Sequence, residues 1–151
     1  MDQKQLKDLI IRVLKGIDLY SEYAVELLLG TAAQESRMGI YIKQLNNGPA
    51  LGIFQMEPAT FKDIVQSYLS RKPELSEKIK IISGVDCYKE EYLEWNISFA
   101  ICMSRVFYLR IPKEIPEDLP GQAGYWKKYY NTYLGMGTEE EYIKNYNAYI
   151  K

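Results

Sequence analysis

The stretch that decides the fold runs from Ser21 to Ser36 and reads SEYAVELLLGTAAQES. Its apolar residues, Tyr23, Ala24, Val25, Leu27, Leu28, Leu29, Ala32 and Ala33, fall on nearly all sides of a helical wheel. A helix that is apolar almost all round belongs in the centre of a helical domain. Glu35 sits on its last turn. At about 100° per residue, Ala24, Leu28, Thr31 and Ala32 lie within about 60° of Glu35, whereas Glu26 falls about 180° away. A carboxyl group on the buried stripe is an expensive placement. Removal from water favours its neutral form and raises its pKa, the property a general acid requires near neutral pH. Two blander readings stay open: Glu35 turns outward as the helix ends, or pairs with Arg37 or another cation.

Working outward, Leu6, Leu9, Ile10, Val13, Leu14 and Ile17 predict an amphipathic helix over residues 3–15, with Gly16 as its stop. Met38 to Leu51, with Asn46-Asn47-Gly48-Pro49, reads as a loop or short hairpin. Helices are predicted from Pro58 to about Ser70, more weakly over Leu75–Ile82, and continuously over Glu90–Arg110. Pro112, Pro116 and Pro120 interrupt any helix and predict a stiff surface connection. An aromatic-rich helix over Gln122–Leu134 follows. Thr138-Glu139-Glu140-Glu141 then opens the last helix as a capping box. No internal repeat or boundary divides the chain, so residues 1–151 read as a single, mainly α domain.

Composition narrows the chemistry. The 151 residues are 47% apolar and 26% charged, which is ordinary globular usage. Nineteen basic against twenty acidic side chains give a net charge of −1, without the basic excess of a nucleic-acid binder. The chain has no histidine. Ser-His-Asp and Cys-His triads and His-ligated zinc are thereby excluded. Cys87 and Cys102 form no CxxC pair, offer no metal site, and read as small buried hydrophobes in a reducing compartment. No apolar run approaches the roughly 20 residues that span a bilayer, and the first residues lack a secretory signal's apolar core. The expectation is synthesis in a cytoplasm and no membrane span, metal or cofactor.

Further motifs follow Ala33-Gln34-Glu35-Ser36 in order. Gly52-Ile53-Phe54-Gln55-Met56-Glu57-Pro58-Ala59-Thr60 brings a glycine, a glutamine and a helix start together. Trp95-Asn96-Ile97 precedes a long apolar pattern, Tyr129-Tyr130-Asn131-Thr132 lies in the aromatic run, and Glu141-Tyr142-Ile143-Lys144 lies in the last helix. Together these resemble the soluble lytic transglycosylase family of peptidoglycan-cleaving enzymes, from residue 24 to residue 146. The pattern, with Tyr-Trp-Lys-Lys-Tyr-Tyr-Asn-Thr and Gly-Met-Gly-Thr, is also similar to small bacteriophage proteins of that superfamily.

The resemblance implies a lysozyme-like fold and cleavage of the β-1,4 bond between N-acetylmuramic acid and N-acetylglucosamine. It implies that Glu35 is the catalytic acid and base, with no cofactor. Ser36, Asn47, Gln55, Tyr130 and Asn131 would bind the glycan strand. Two departures bear on this: Asn46 or Asn47 falls where many relatives carry a serine, and Glu57 replaces the methionine before Pro58. Glu57 either favours the positive end of the helix it precedes or acts as a second carboxylate, as in a hydrolytic muramidase. A third expectation is a non-catalytic phage structural protein on the same scaffold. The partner expected is the peptidoglycan glycan strand, not nucleic acid or a membrane. The protein would be a monomer or a virion component, made in a host cytoplasm and delivered to the wall by lysis or within the particle.

Overall fold

Five helices begin at a short polar side chain that accepts a hydrogen bond from the backbone N–H three residues on. Asp2 does so for Gln5, Ser21 for Ala24, Asn96 for Phe99, Asp118 for Gly121 and Thr138 for Glu141, at 2.8–3.1 Å. Each satisfies one of the donors a helix start leaves unpaired. In the computed structural model, which describes residues 1–131 and 135–150, the helices are α1 (Gln3–Gly16), α2 (Glu22–Ser36), α3 (Pro58–Ser67), α4 (Pro73–Ser83), α5 (Tyr92–Trp95), α6 (Ile97–Leu109), α7 (Leu119–Tyr125) and α8 (Glu139–Tyr149). A π-helical turn, Trp126–Asn131, continues directly from α7.

The protein is mainly α, and α2 is its axle, packed by α1, α6 and α8. Leu27, Leu28 and Leu29 are all fully buried. Burial on that scale stabilises by roughly 1.5–3 kcal/mol for each leucine. Helix α8 packs tightly at Gly30, where an added Cβ would lie 2.0 Å from the Tyr142 hydroxyl. That hydroxyl donates to the Leu27 carbonyl at 3.3 Å. A glycine inside a helix normally weakens it; here it makes room for a partner helix. On the outward side of α2, Glu26 pairs with Lys7 of α1 and accepts from the Tyr146 hydroxyl.

Between α2 and α3 the chain forms a small wing. It is held by isolated antiparallel bridges between Lys43 and Leu51 and between Leu51 and Met56, beside a 3₁₀ turn at Leu45–Asn47. Gly52, at φ +81°, lies so near α5 that a Cβ would meet the Leu93 carbonyl oxygen at 1.9 Å. The wing therefore docks where only glycine fits.

Several expectations need correction. The continuous helix over Glu90–Arg110 is broken at Asn96, whose extended backbone separates α5 from α6. Its side chain caps α6 and also donates to the Ser83 carbonyl at 2.9 Å. The helix from Pro58 ends at Ser67 and passes into a 3₁₀ turn over Leu69–Arg71. Pro120 does not interrupt a helix; it lies in the first turn of α7, where a missing N–H is harmless. The aromatic segment is α-helical only to Tyr125, and residues 132–134 of the expected helix lie outside the described residues. Cys102 is buried but Cys87 is exposed. No helix among the described residues is long and apolar enough to cross a membrane.

Candidate functional site

The last turn of α2 opens onto a cleft of about 820 Å³ bounded by the wing, the start of α3, the π turn and the start of α8. Glu35 lines it, with Gln34, Gln44, Gln55, Glu57, Tyr130, Asn131 and Glu141. The lining is polar: besides Glu35 it carries two exposed carboxylates, Glu57 and Glu141, and the amides of Gln34, Gln44, Gln55 and Asn131. The amides suit hydroxyl and acetamido groups, and among the described residues no Lys or Arg lines the cleft to hold an anion.

Glu35 is half-buried, and its pKa is raised from 4.5 to about 7. Desolvation is the main cause, and a hydrogen bond from Trp126 partly offsets it. The Trp126 indole nitrogen donates to Glu35 Oε1 at 2.9 Å. No ion pair involves Glu35 among the described residues, and Arg37 is exposed at the left-handed cap that ends α2. Neither of the blander readings of Glu35 describes this geometry. A carboxyl group with a pKa of about 7 is both an acid and a base near neutrality.

The wing supplies the opposite side. Gln55 sits at φ 50°, and its side-chain nitrogen donates to the Gly52 carbonyl at 2.9 Å, which leaves its oxygen free to accept. Gln44 is arranged the other way round: its oxygen accepts from the Ala50 N–H at 3.0 Å, so its amino group is the free end. Across the cleft, Asn131 accepts from the Lys127 ammonium at 2.8 Å and likewise keeps its amino group available. Lys127 also donates to the Gly135 carbonyl, so its charge is spent holding the rim. One acceptor and two amide donors thus point to neutral, hydrogen-bonding ligand groups.

Tyr130 belongs to the same wall but is not a free phenol. Its hydroxyl donates to the Phe54 carbonyl at 2.6 Å, and its ring stacks on Tyr108 with centroids 5.3 Å apart. Burial and the neighbouring Glu35 push its pKa well above the ordinary tyrosine value. It is a neutral donor already committed to the wing, so the expectation of a freely ligand-binding Tyr130 becomes that of a brace facing the cleft.

Two expected ligand-binding residues lie elsewhere. Ser36 is fully buried and does not line the cleft. Its hydroxyl donates to the Ile53 carbonyl at 2.6 Å and accepts from the Gly39 N–H at 2.8 Å, stapling the end of α2 to the wing. Asn47 is exposed on the 3₁₀ turn, with left-handed backbone at Asn46 and Asn47, and does not line the cleft; from this segment Gln44 does. Glu57 does line the cleft, exposed, as the residue preceding α3, and makes no capping hydrogen bond there.

Sequence reasoning missed Gln34, Gln44, Trp126 and Glu141. Gln34 was recoverable as Glu35's neighbour on the helix. Trp126 carried no local signal, since its partner lies 91 residues away. No group of three or more His, Cys, Asp or Glu among the described residues could hold a metal ion. A separate hollow of about 680 Å³ lies beyond Tyr108, lined by Tyr23, Arg105 and the 111–117 segment. Glu35 does not face it. No family model, curated protein or solved structure matches the chain.

Proposed function

We propose that this protein cleaves the β-1,4 glycosidic bond between N-acetylmuramic acid and N-acetylglucosamine in bacterial peptidoglycan, on a lysozyme-like scaffold, as a lytic transglycosylase. The observation that carries the reading is Glu35, half-buried with a pKa of about 7, in a cleft whose amide side chains can hold neutral sugar groups. In this reaction Glu35 gives its proton to the glycosidic oxygen while the bond from that oxygen to the muramic C1 breaks. The muramic 6-hydroxyl then bonds to C1 and returns its proton to the Glu35 carboxylate. The product is a 1,6-anhydro ring and the acid is regenerated. Gln55, Gln44 and Asn131 would hold acetamido and hydroxyl groups, with no charge required on the sugar.

A second reading rests on Glu57, whose exposed carboxyl group lines the same cleft. A hydrolytic muramidase would use it to direct a water to C1 or to stabilise the positive centre. Mass spectrometry of digested peptidoglycan separates the two, because an anhydro end is one water lighter than a reducing end. Anhydro ends are expected. Reducing ends alone would favour the muramidase, and no release of wall fragments by the folded protein would overturn both.

A further inference from the structure

The two oxygens of Glu35 are not equivalent. Oε1 accepts the indole N–H of Trp126 at 2.9 Å, whereas Oε2 accepts no hydrogen bond from any described residue, on a side chain that lines the cleft. Trp126 is wholly buried, and its ring lies against Tyr142 with centroids 5.3 Å apart. Gly137 closes its other side so tightly that a Cβ there would come within 2.6 Å of the outer ring carbon. The indole therefore has little freedom to turn away from Glu35.

An indole N–H donates and cannot accept. In a neutral carboxylic acid, the carbonyl oxygen is a better acceptor than the hydroxyl oxygen. A fixed donor at Oε1 consequently makes Oε1 the carbonyl oxygen and leaves the proton on Oε2. After the proton leaves, the same N–H meets a full negative charge, and the bond becomes charge-assisted and stronger. The donor is aimed at charge that develops during reaction, where preorganised dipoles act most effectively.

We infer that Trp126 is a positioning residue for the acid: its indole N–H sorts the two oxygens of Glu35 so that the transferable proton is carried by Oε2, the oxygen left to the cleft. The inference rests on the proposed role of Glu35. The π-helical turn is the device that delivers it. Trp126 opens that turn and holds Glu35; Tyr130, four residues later, holds the Phe54 carbonyl beside Gln55. One widened turn thus references both walls of the cleft to each other, and such turns recur at functional sites.

The other titratable groups around Glu35 are Tyr108 of α6, Tyr130 of the π turn, Glu57 before α3 and Glu141 of α8, with Lys127 on the π turn. Both phenols stay neutral far into the alkaline range. The two glutamates are exposed, and Lys127 is bonded to Asn131 and Gly135. A change in the acidity of Glu35 on losing one N–H is read at its own carboxyl carbon, and neither neighbouring phenol ionises in that range.

The test is a titration of the Glu35 carboxyl carbon by NMR in protein labelled at glutamate, comparing wild type with Trp126→Phe. A second variant replaces only the indole N–H by sulfur, using benzothienylalanine at position 126, and preserves the bicyclic shape if phenylalanine packs poorly. Loss of the donor should raise the Glu35 titration by about one pH unit. On peptidoglycan, kcat should fall about tenfold with KM little changed, and the alkaline limb of the rate profile should move up with the titration. An unmoved titration in a folded variant overturns the positioning role, even if Glu35→Gln abolishes cleavage. A moved titration upholds it, even if wild type cleaves no wall and the proposed substrate must be abandoned.

Discussion

The hydroxyl of Tyr130 reaches the carbonyl of Phe54 across 76 residues of sequence, at 2.6 Å, and joins the π turn to the wing that carries Gln55. Tyr130→Phe removes that donor and leaves a partly buried carbonyl without it. The cost should be about 1–2 kcal/mol in denaturant unfolding. Cleavage should fall through displacement of Gln55 rather than through lost proton transfer, so the pH profile should keep its shape. A change in the pH limbs with unaltered stability would contradict this.

Glu35→Gln should fold and lose about 10²–10⁴-fold in peptidoglycan cleavage, because an amide has no acidic proton to give. Its stability should also move, in a pH-dependent direction. With a native pKa of about 7 against 4.5 for the free group, the native state binds more protons than the unfolded one between those values. Wild-type stability therefore declines as pH rises from about 4.5 to 7, by roughly 3 kcal/mol in all. The variant lacks this loss, so it should match wild type near pH 4 and exceed it near pH 8. Parallel urea titrations at the two values measure the difference.

Glu57→Gln should retain substantial activity and still yield anhydro ends. The Glu57 carboxyl group is exposed at the head of α3, where its charge has the helix dipole nearby and no hydrogen bond to fix it. A loss of orders of magnitude in this variant would transfer the mechanism to the hydrolytic reading.

Gly30→Ala should destabilise the protein, against the usual sign for this exchange inside a helix. The new methyl group would overlap the Tyr142 hydroxyl, 2.0 Å away, and force α8 from α2. A loss of about 1–3 kcal/mol in thermal or denaturant unfolding is expected. A gain in stability would show that α8 moves aside freely.

A thiol reagent should find one reactive cysteine in the folded protein. Cys87 is exposed, whereas burial encloses Cys102 and pushes its thiol up to about 12. Titration with a chromogenic disulfide should therefore release one equivalent rapidly, and the second only on unfolding.

The parts legible in the sequence are those whose causes are local. The stripe of Ala24, Leu28 and Ala32 marks α2, and Glu35 stands out because a carboxyl group on that stripe is costly wherever the rest of the chain goes. Ser21 and Thr138 announce their helices through bonds spanning three residues. The break at Asn96 was hidden because the apolar spacing runs on through it, and the bond that holds Asn96 goes to Ser83. Ser36 was misjudged because nothing beside a serine tells whether its hydroxyl faces a ligand or the core. The π turn has no compositional signature, so the aromatic run over Tyr125–Tyr130 could show only that it is helical.

The contacts that enclose the end of α2 come late in the chain. Trp126 and Tyr142 lie 91 and 115 residues beyond their partners on α2. While the chain is being synthesised, α2 emerges long before either, and domains consolidate as their distant contacts become available. Until then Glu35 sits in water with the acidity of an ordinary glutamate. The raised pKa of Glu35 is therefore a property of the closed fold, acquired only as the closing helices dock.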